Sequence, residues 1–321
     1  MKRFYLIKHP ILFQGEQKNI KNKNYFEGWY FKNTNKKETI SFIPGINITK
    51  QDKKAFIQII TNDSSYFVEY DENDFYFNHD PFFIRIGNNY FDYNTIEINI
   101  NDKKQHLYIE GRLTYTNHNK IQTNLFHPNI MGPFSYLPFM ECNHALLSMK
   151  HHIHGTMKIN HKVLIFDQGI GYMEKDWGIS FPKKYIWLQG NHFNNEKASF
   201  MLSIADIPFQ VFHFRGLICM LKIDEIEYLF TTYNLAKIKT CHVERNYINI
   251  ILKRNNYILE IKAFCNTGNI LFAPIKGQMI KNIVESISST IEITLKHKHK
   301  ILFFDTSINC GLEVVNEESS L

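Results

Sequence analysis

Two short segments of the chain combine tryptophan with carboxylate residues in a way that could support acid–base chemistry. The first is Tyr25–Lys32, with the sequence YFEGWYFK. In an extended strand alternate side chains point to the same face, so Glu27, Trp29 and Phe31 would lie side by side. If that face is buried, loss of hydration raises the pKa of the carboxyl group and makes it a candidate general acid. Gly28 leaves room for a ligand or a second backbone.

The second segment is Gly169–Gly178, with the sequence GIGYMEKDWG. Glu174 and Asp176 would share one face if this segment is extended, and Trp177 follows directly. The Gly-x-Gly start lacks the third glycine and the helix of a dinucleotide-binding loop. A dinucleotide site is therefore excluded, and the two carboxylates remain as candidate acids.

A third tryptophan lies in the next strand-like segment. Trp187, Gln189 and Asn191 would share a face there, forming an aromatic wall with two amides beside it. The alternative to chemistry is structural, with the tryptophans plugging the ends of barrels. Glu27 and Asp176 would then be paired with Lys or Arg beneath them. The residue pattern by itself favours this structural alternative.

The order of these blocks resembles that of the tocopherol cyclase family. Plant members carry nearly the same string as residues 26–32, FEGWYFK, followed later by an EKNWG, FP and WxQxN series that matches residues 174–191 in order. The stretch Gly132–His154, which contains the string MECNH at Met140–His144, is more similar to bacterial members. The resemblance implies two lipocalin-like β-domains, related to carotenoid hydratases and to some cyclases of natural-product pathways.

The resemblance also implies an activity without a cofactor, in which a prenyl double bond is protonated and a quinol hydroxyl closes a chromanol ring. An alkene is a weak base, so this step needs a positioned acid in a dry site and aromatic faces that stabilise the cation. The candidate acids are Glu27, Glu174 and Asp176. The candidate substrate-binding residues are Trp29, Trp177, Trp187, Gln189, Asn191, Glu141 and His144.

One departure from the family pattern ranks the three acids. Asp176 stands where plant members have Asn, so an acid essential to the whole family is not expected at this position. Glu27 and Glu174 match both versions and are therefore the preferred candidates.

Histidines concentrate in residues 143–155, and the spacing of His152 and His154 can bind zinc. No acidic or cysteine pattern completes such a site, so no metal is predicted, and a histidine that relays protons is preferred. The five cysteines lack C-x-x-C spacing, which argues against disulfides and structural zinc. Serine-hydrolase, P-loop and zincin motifs are missing, and those classes of enzyme are disfavoured.

The elements that must position these residues are predicted to be short β-strands. Apolar and polar residues alternate in segments such as Thr95–Ile100 and Tyr257–Ala263, with turn residues between them. Only Lys276–Ser289 has a helical rhythm. The predicted fold is all-β, with two lipocalin-like antiparallel β-barrel or sandwich domains and at most one or two short helices. The predicted domains are residues 1–175 and 176–321.

The net charge of +6 and the pI of about 8.8 describe a mildly basic surface. Lysine clusters such as Lys296–Lys300 are interpreted as solvated hairpin tips. The alternative is attraction to anionic membrane surfaces, whereas no nucleic-acid-binding signature is present. No signal peptide or membrane-spanning run is apparent, so a cytoplasmic location is expected, with peripheral membrane contact as the alternative. The oligomeric state is left open.

The leading functional hypothesis is a cofactor-free cyclase, hydratase or isomerase that acts on a prenylated quinol or another hydrophobic polyene. Its rival is a lipocalin-type carrier that binds such a molecule unchanged. A structural β-protein explains the fold but not the clustering of tryptophan with acids. Catalysis requires a carboxyl group that faces the apolar ligand, whereas a carrier needs only an apolar cavity.

Overall fold

The structure is a computed structural model that describes residues 2–15, 24–35, 37–138, 140–209 and 212–316. In this part of the chain the one α-helix, α1, spans Lys2–Lys8. Three 3-10 helices lie at Glu72–Asp74, Gly132–Tyr136 and Thr232–Asn234. None of the described helices has the length and apolar character needed to cross a membrane.

All other regular elements are β-strands, which form two large antiparallel sheets. The strands of the first sheet are β1 Tyr25–Thr34, β2 Thr39–Ile48, β3 Lys53–Thr61, β4 Ser65–Asp71, β5 Phe75–His79, β6 Phe82–Ile86, β7 Asn89–Asp92, β8 Thr95–Asp102, β9 Leu107–Asn119, β10 Cys142–Ile159, β11 Lys162–Ile165 and β12 Gly169–Gly178. The strands of the second sheet are β13 Tyr185–Gly190, β14 Ala198–Phe209, β15 Phe212–Ile223, β16 Ile226–Thr231, β17 Lys237–Val243, β18 Tyr247–Arg254, β19 Tyr257–Phe264, β20 Asn269–Ile275, β21 Gln278–His297 and β22 Lys300–Val315.

Most neighbouring strands in the sheets are also neighbours in sequence, joined by short turns. The first sheet has the order β4-β3-β2-β1-β12-β10-β9-β8-β7-β6-β5, with β11 beside β10. The second has the order β16-β15-β14-β13-β22-β21-β19-β18-β17, with β20 beside β21. In each sheet a late strand is inserted in the middle, β12 in the first and β22 in the second. The all-β prediction with lipocalin-like antiparallel units is confirmed.

The chain divides into two compact units. The first comprises residues 1–181 and 271–282, and the second comprises residues 182–270 and 283–321. The predicted boundary between residues 175 and 176 falls inside β12. This strand stays whole in the first unit because it is hydrogen-bonded to β1 on one side and β10 on the other.

Each unit has its own hydrophobic core built from alternating side chains. On β8, Ile96, Ile98 and Ile100 are buried, whereas Glu97 and Asn99 between them are exposed. On β18 of the second unit, Ile248, Ile250 and Leu252 occupy the core in the same way. Strands β1 and β12 differ because they are largely buried on both faces. Because side chains alternate along a strand, one face of β1 and β12 can contribute to the hydrophobic core, and the opposite face can hold a second set of buried side chains.

The prediction of a helix over Lys276–Ser289 is wrong, because Gln278–His297 forms the long strand β21. The predicted helix rested on Met279, Ile283 and Ile287, which are spaced four residues apart. Residues four apart also share a face in a strand, so this spacing does not distinguish the two structures. The Ile-, Val-, Ser- and Thr-rich composition of the segment favours the strand.

Candidate functional site

The pairing of β1 with β12 brings the first two tryptophan-and-carboxylate clusters side by side. In this antiparallel register Glu27 lies opposite Trp177, Trp29 opposite Lys175, and Tyr30 opposite Glu174. Residues directly opposite one another share a face. Odd-numbered residues of the two strands therefore face the core of the first unit, and even-numbered residues face the other side. The three predicted acids are split between these two faces.

On the core face, Glu27 forms a fully buried ion pair with Lys175. Its carboxylate also accepts hydrogen bonds from the backbone N–H of Gln14 (2.8 Å), the backbone N–H of Gly15 (3.0 Å) and the hydroxyl of Tyr25 (2.5 Å). Four donors therefore surround this carboxylate. The alternative in which Glu27 is paired with a lysine beneath the tryptophans is confirmed.

Lys175 is held as firmly as its partner. Its Nζ donates to the carbonyls of Pro10 (2.8 Å) and Leu12 (2.6 Å) and lies 4.3 Å from the ring centre of Trp29 and 5.2 Å from that of Trp177. Burial lowers the pKa of Lys175 to about 8, and its interaction with Glu27 opposes that shift. The ion pair, the two tryptophan rings and the N-terminal segment thus form one packed unit.

On the other face, His144 lies between two carboxylates. It is the register partner of Asp176 on the neighbouring strand β10. Its Nδ1 is 2.9 Å from Oδ1 of Asp176, and its Nε2 is 3.6 Å from Oε2 of Glu174. The hydroxyl of Tyr172 donates to the same Glu174 oxygen at 2.5 Å. We refer to His144, Glu174, Asp176 and Tyr172 as the acid–base cluster.

The two carboxylates determine the charge state of the cluster. Burial alone would lower the pKa of His144, but the charges of Asp176 and Glu174 outweigh burial and raise this pKa to about 9. The imidazole therefore carries a proton at neutral pH. Burial and the charge of Glu174 raise the pKa of Tyr172 well above its ordinary value, so the phenol stays neutral. At neutral pH the cluster thus contains an imidazolium ring between two carboxyl groups, with one N–H directed at each.

Asp176 has the most exposed side chain of the three residues His144, Glu174 and Asp176. Its side chain is 22% exposed, compared with 13% for His144 and 6% for Glu174. Its register partner on β1 is Gly28, and a methyl group at that glycine would meet nothing closer than Cγ2 of Ile43 at 3.6 Å. Asp176 is therefore the most accessible carboxylate of the cluster.

An aromatic side chain borders the cluster. The ring of Tyr30 lies 6.3 Å from that of Tyr172 in an edge-on arrangement, and its hydroxyl accepts from Ser41 at 3.1 Å. Trp29, which was predicted to line the site, does not border the cluster, because it packs in the hydrophobic core. Its indole N–H donates to the carbonyl of Ile11 at 2.8 Å.

Among the described residues, His144, Glu174 and Asp176 also form a group that could hold a metal ion. Each offers one ligand atom, and these atoms lie within 4.8 Å of one another. One nitrogen and carboxylate oxygens suit a divalent cation. A metal ion could bind only if His144 lost its proton, which both carboxylates stabilise. A metal ion and the proton on His144 would therefore exclude one another at this site.

The remaining predicted residues of β13 lie in the second unit. Trp187 and Gln189 share a face and are buried, whereas Asn191 follows the end of the strand, with Oδ1 2.9 Å from Nδ1 of His192. Trp187 lies opposite Glu313, which accepts from the hydroxyl of Tyr185 at 2.6 Å.

The second unit contains two carboxylates that the sequence analysis missed. Glu313 is the register partner of Glu285 on β21, and both side chains are buried. Neither glutamate belongs to a recognisable motif, and they are distant in sequence. Only the pairing of β21 with β22 brings them together.

The predicted histidines take different places. His144 joins the acid–base cluster, whereas His152 and His154 are exposed. The side chain of Glu141 is exposed as well, and its backbone carbonyl accepts from Ile179 at 2.7 Å. In this group of histidines, His144 is the one that lies against carboxylates of the cluster.

His151 belongs to a second histidine pair that the sequence analysis missed. Its Nδ1 and that of His118 lie 3.1 and 3.2 Å from the hydroxyl of Ser148, which donates to the carbonyl of Lys150. Register shifts in β10 on either side of Ser148 allow the contact between Ser148 and His151. Burial lowers the pKa of His118 to about 4 and holds that of His151 well below its ordinary value, so both are neutral.

Fold and site together describe an all-β protein with two antiparallel sheets and a buried acid–base cluster on a central strand pair. The chain belongs to the tocopherol cyclase-like family, which matches residues 105–316. This match confirms the predicted family. It covers the acid–base cluster and β13, whereas Tyr25–Lys32 lies outside it.

Solved structures share the fold at very low sequence identity. The crystal structure of CghA with Sch210972 aligns with a TM-score of 0.55 and 8% identity, covering 92% of this chain and 89% of that chain. The crystal structure of CghA gives a TM-score of 0.52 with the same identity and coverage. Kievitone hydratase from Nectria haematococca gives 0.48 with 12% identity, again covering 92% and 89%. No curated protein sequence matches this chain.

Proposed function

We propose that this chain is a cofactor-free enzyme of the cyclase or hydratase type that acts on a hydrophobic unsaturated substrate, with a conjugated polyene that bears a hydroxyl group as the first candidate and a prenylated quinol as the second. Membership of the tocopherol cyclase-like family supports the reaction class. The observation that carries the proposal is the protonated His144 between Glu174 and Asp176. Perturbed titratable groups of this kind are concentrated at catalytic sites.

We assign a different role to each of Asp176, His144 and Glu174, according to how exposed its side chain is. Asp176, as the most accessible carboxylate, is the group that meets the substrate, and its register partner Gly28 adds no side chain beside it. His144 relays the proton, and Glu174 holds the imidazolium from its other side. The ranking expected from the sequence is therefore reversed for two carboxylates. Glu27 has a structural role, because it is held in its ion pair with Lys175. Asp176 is proposed as a group that this chain uses and not as an acid of the whole family, since plant members have Asn at this position.

The pKa of His144 limits the kinds of double bond that this cluster could protonate. A proton on a group with a pKa of about 9 is held too tightly for direct transfer to an isolated alkene carbon. The same cluster is well suited to accept a proton from a hydroxyl group or a water molecule and to return one to a conjugated carbon. The O–H bond breaks, a C–O bond and a C–H bond form, and the carbon double bond is consumed. Cyclisation then leaves the mass unchanged, and hydration adds one water.

A carrier of the lipocalin type is the second candidate function, because it would also need a hydrophobic binding surface. Burial of three ionisable groups favours the enzyme. Removing charges from water costs several kcal/mol unless they are paired, and an apolar ligand gains nothing from them. A carrier would be served better by apolar residues at these positions.

The test is incubation with a prenylated quinol and with a conjugated polyene that bears a hydroxyl group, followed by mass spectrometry of the products. We expect a product of unchanged mass or one heavier by a water. Asp176→Asn and Glu174→Gln should lower the rate by about 100-fold or more.

Asp167→Asn is the matched control, because its carboxylate is 66% exposed in another part of the same unit. It should retain full activity. Saturable binding of these molecules by the wild type without any turnover would support the carrier instead. Equal turnover in Asp176→Asn and the wild type would remove Asp176 from the mechanism.

A further inference from the structure

The turn between β21 and β22 concentrates positive charge at one end of the second unit. Residues 296–300 have the sequence KHKHK. Lys296 is paired with Glu260 through a 2.6 Å contact. Lys298 and Lys300 are exposed, and in the described part of the chain neither forms a salt bridge. Two lysine charges are therefore available to an external partner.

Apolar side chains directly follow these lysines and are exposed to solvent. Ile301, Leu302 and Phe304 are 57%, 42% and 61% exposed. The side chain between them, Phe303, is buried in the core of the second unit. Single exposed apolar residues are common, but three large ones within four residues beside unpaired lysines form an amphipathic surface.

The adjacent turn between β18 and β19 extends this surface. The backbone N–H of Lys298 donates to the carbonyl of Asn256 at 2.8 Å, so the two turns lie side by side. The ring of Tyr257 stacks on His297 with centroids 4.6 Å apart. Lys253, near the end of β18, is exposed as well. Lysine, tyrosine and exposed aliphatic residues together are typical of protein surfaces that meet a lipid headgroup region.

We propose that this end of the second unit, formed by Lys298, Lys300, Ile301, Leu302 and Phe304, binds the surface of an anionic lipid bilayer. The lysines attract anionic headgroups, and the apolar side chains enter the boundary between headgroups and acyl chains. A second copy of the chain would bring the same positive charge to the contact and be repelled. A nucleic acid backbone would use the lysines but leave the exposed aliphatic residues in water. The proposal is independent of the catalytic one.

Co-sedimentation with two kinds of vesicle tests the proposal, one of phosphatidylcholine alone and one of equal parts phosphatidylcholine and phosphatidylglycerol. We expect the wild type to bind only the anionic vesicles and to be released in part by salt, with a weaker apolar contribution remaining. Lys298→Glu/Lys300→Glu should lower the binding constant at least about 20-fold, because four units of charge change at the contact. Leu302→Ser/Phe304→Ser should weaken binding also at high salt, where the apolar contribution dominates.

The matched control is Lys103→Glu/Lys104→Glu, which makes the same change in net charge at an exposed turn of the first unit. It should retain binding within about threefold. Circular dichroism of each variant confirms that the fold is intact. The proposal fails if the wild type does not bind anionic vesicles, or if the control loses as much binding as the turn variant. Binding of single-stranded DNA in the absence of vesicle binding would assign the turn to nucleic acid and overturn it as well.

Discussion

Replacement of His144 by asparagine should change how the stability of the first unit depends on pH. The amide of asparagine can still donate to Asp176 but cannot carry a proton. The pKa of His144 is raised from 6.5 to about 9 by the two carboxylates, against the effect of burial. A raised pKa means that the folded state binds the proton more tightly than the unfolded state. The shift of about 2.5 units, at 1.36 kcal/mol per unit, corresponds to about 3 kcal/mol.

The sign of the effect follows from the direction of the shift. The stabilisation is fully present below pH 6.5 and is lost as the pH rises through about 9. The wild type should therefore exceed His144→Asn in the free energy of unfolding by about 3 kcal/mol more at about pH 5.5 than at about pH 10. Groups that titrate in both proteins, such as Lys175, largely cancel in this difference.

Urea denaturation, followed by tryptophan fluorescence, measures this quantity. Trp29 and Trp177 lie in the first unit with His144, whereas Trp187 lies in the second. A Trp187→Phe background therefore restricts the signal to the unit that contains the mutation. A stability difference that stays constant within about 0.5 kcal/mol between the two pH values would refute the imidazolium between two carboxylates.

Three further predictions concern the surroundings of the site. Glu27→Gln should lower the free energy of unfolding by about 3–5 kcal/mol in the same urea assay, because Lys175 stays buried without its partner. Glu27→Leu/Lys175→Met should not recover this loss, because the backbone N–H groups of Gln14 and Gly15 and the hydroxyl of Tyr25 would lose their acceptor. Gly28→Ala should shift the melting temperature little, since its methyl group has room, whereas Gly45→Ala should lower it strongly because that methyl group would lie 2.4 Å from the Phe56 ring and 2.6 Å from the carbonyl of Glu27. An unstable Gly28→Ala would contradict the ordinary contact distances that a methyl group would have at this position. Burial lowers the pKa of His118 from 6.5 to about 4, so stability should fall as the pH drops through this range, and His118→Gln should reduce that fall; equal acid sensitivity in both proteins would contradict a neutral buried His118.

Much of the fold could be predicted from local patterns. Alternation of apolar and polar residues repeats every second position in a strand, and this period appears directly in segments such as Thr95–Asp102. The family strings likewise lie in continuous stretches. The helix predicted over Lys276–Ser289 shows the limit of such patterns, because a spacing of four residues satisfies both periods when no polar face decides between them.

The acid–base cluster could not be predicted from local sequence patterns alone. The sequence placed Glu174 and Asp176 on one face and Glu27 with Trp29 on another, and both placements are correct. It could not show that β1 pairs with β12, which sets Glu27 against Lys175, or that His144 lies opposite Asp176. Strand pairing joins residues that are distant in sequence, such as Glu27 and Lys175, and its register depends on the packing of the whole sheet.

The sequence alone thus determined the all-β class, the family and the candidate residues, because these depend on short-range periodicity and on local strings. The tertiary structure decided which carboxylate forms an ion pair and which shares a proton with a histidine. The physical reason is that the protonation state of a buried carboxyl group depends on its neighbours within a few ångströms. In a β-sheet those neighbours come from other strands, chosen by long-range pairing rather than by adjacent residues.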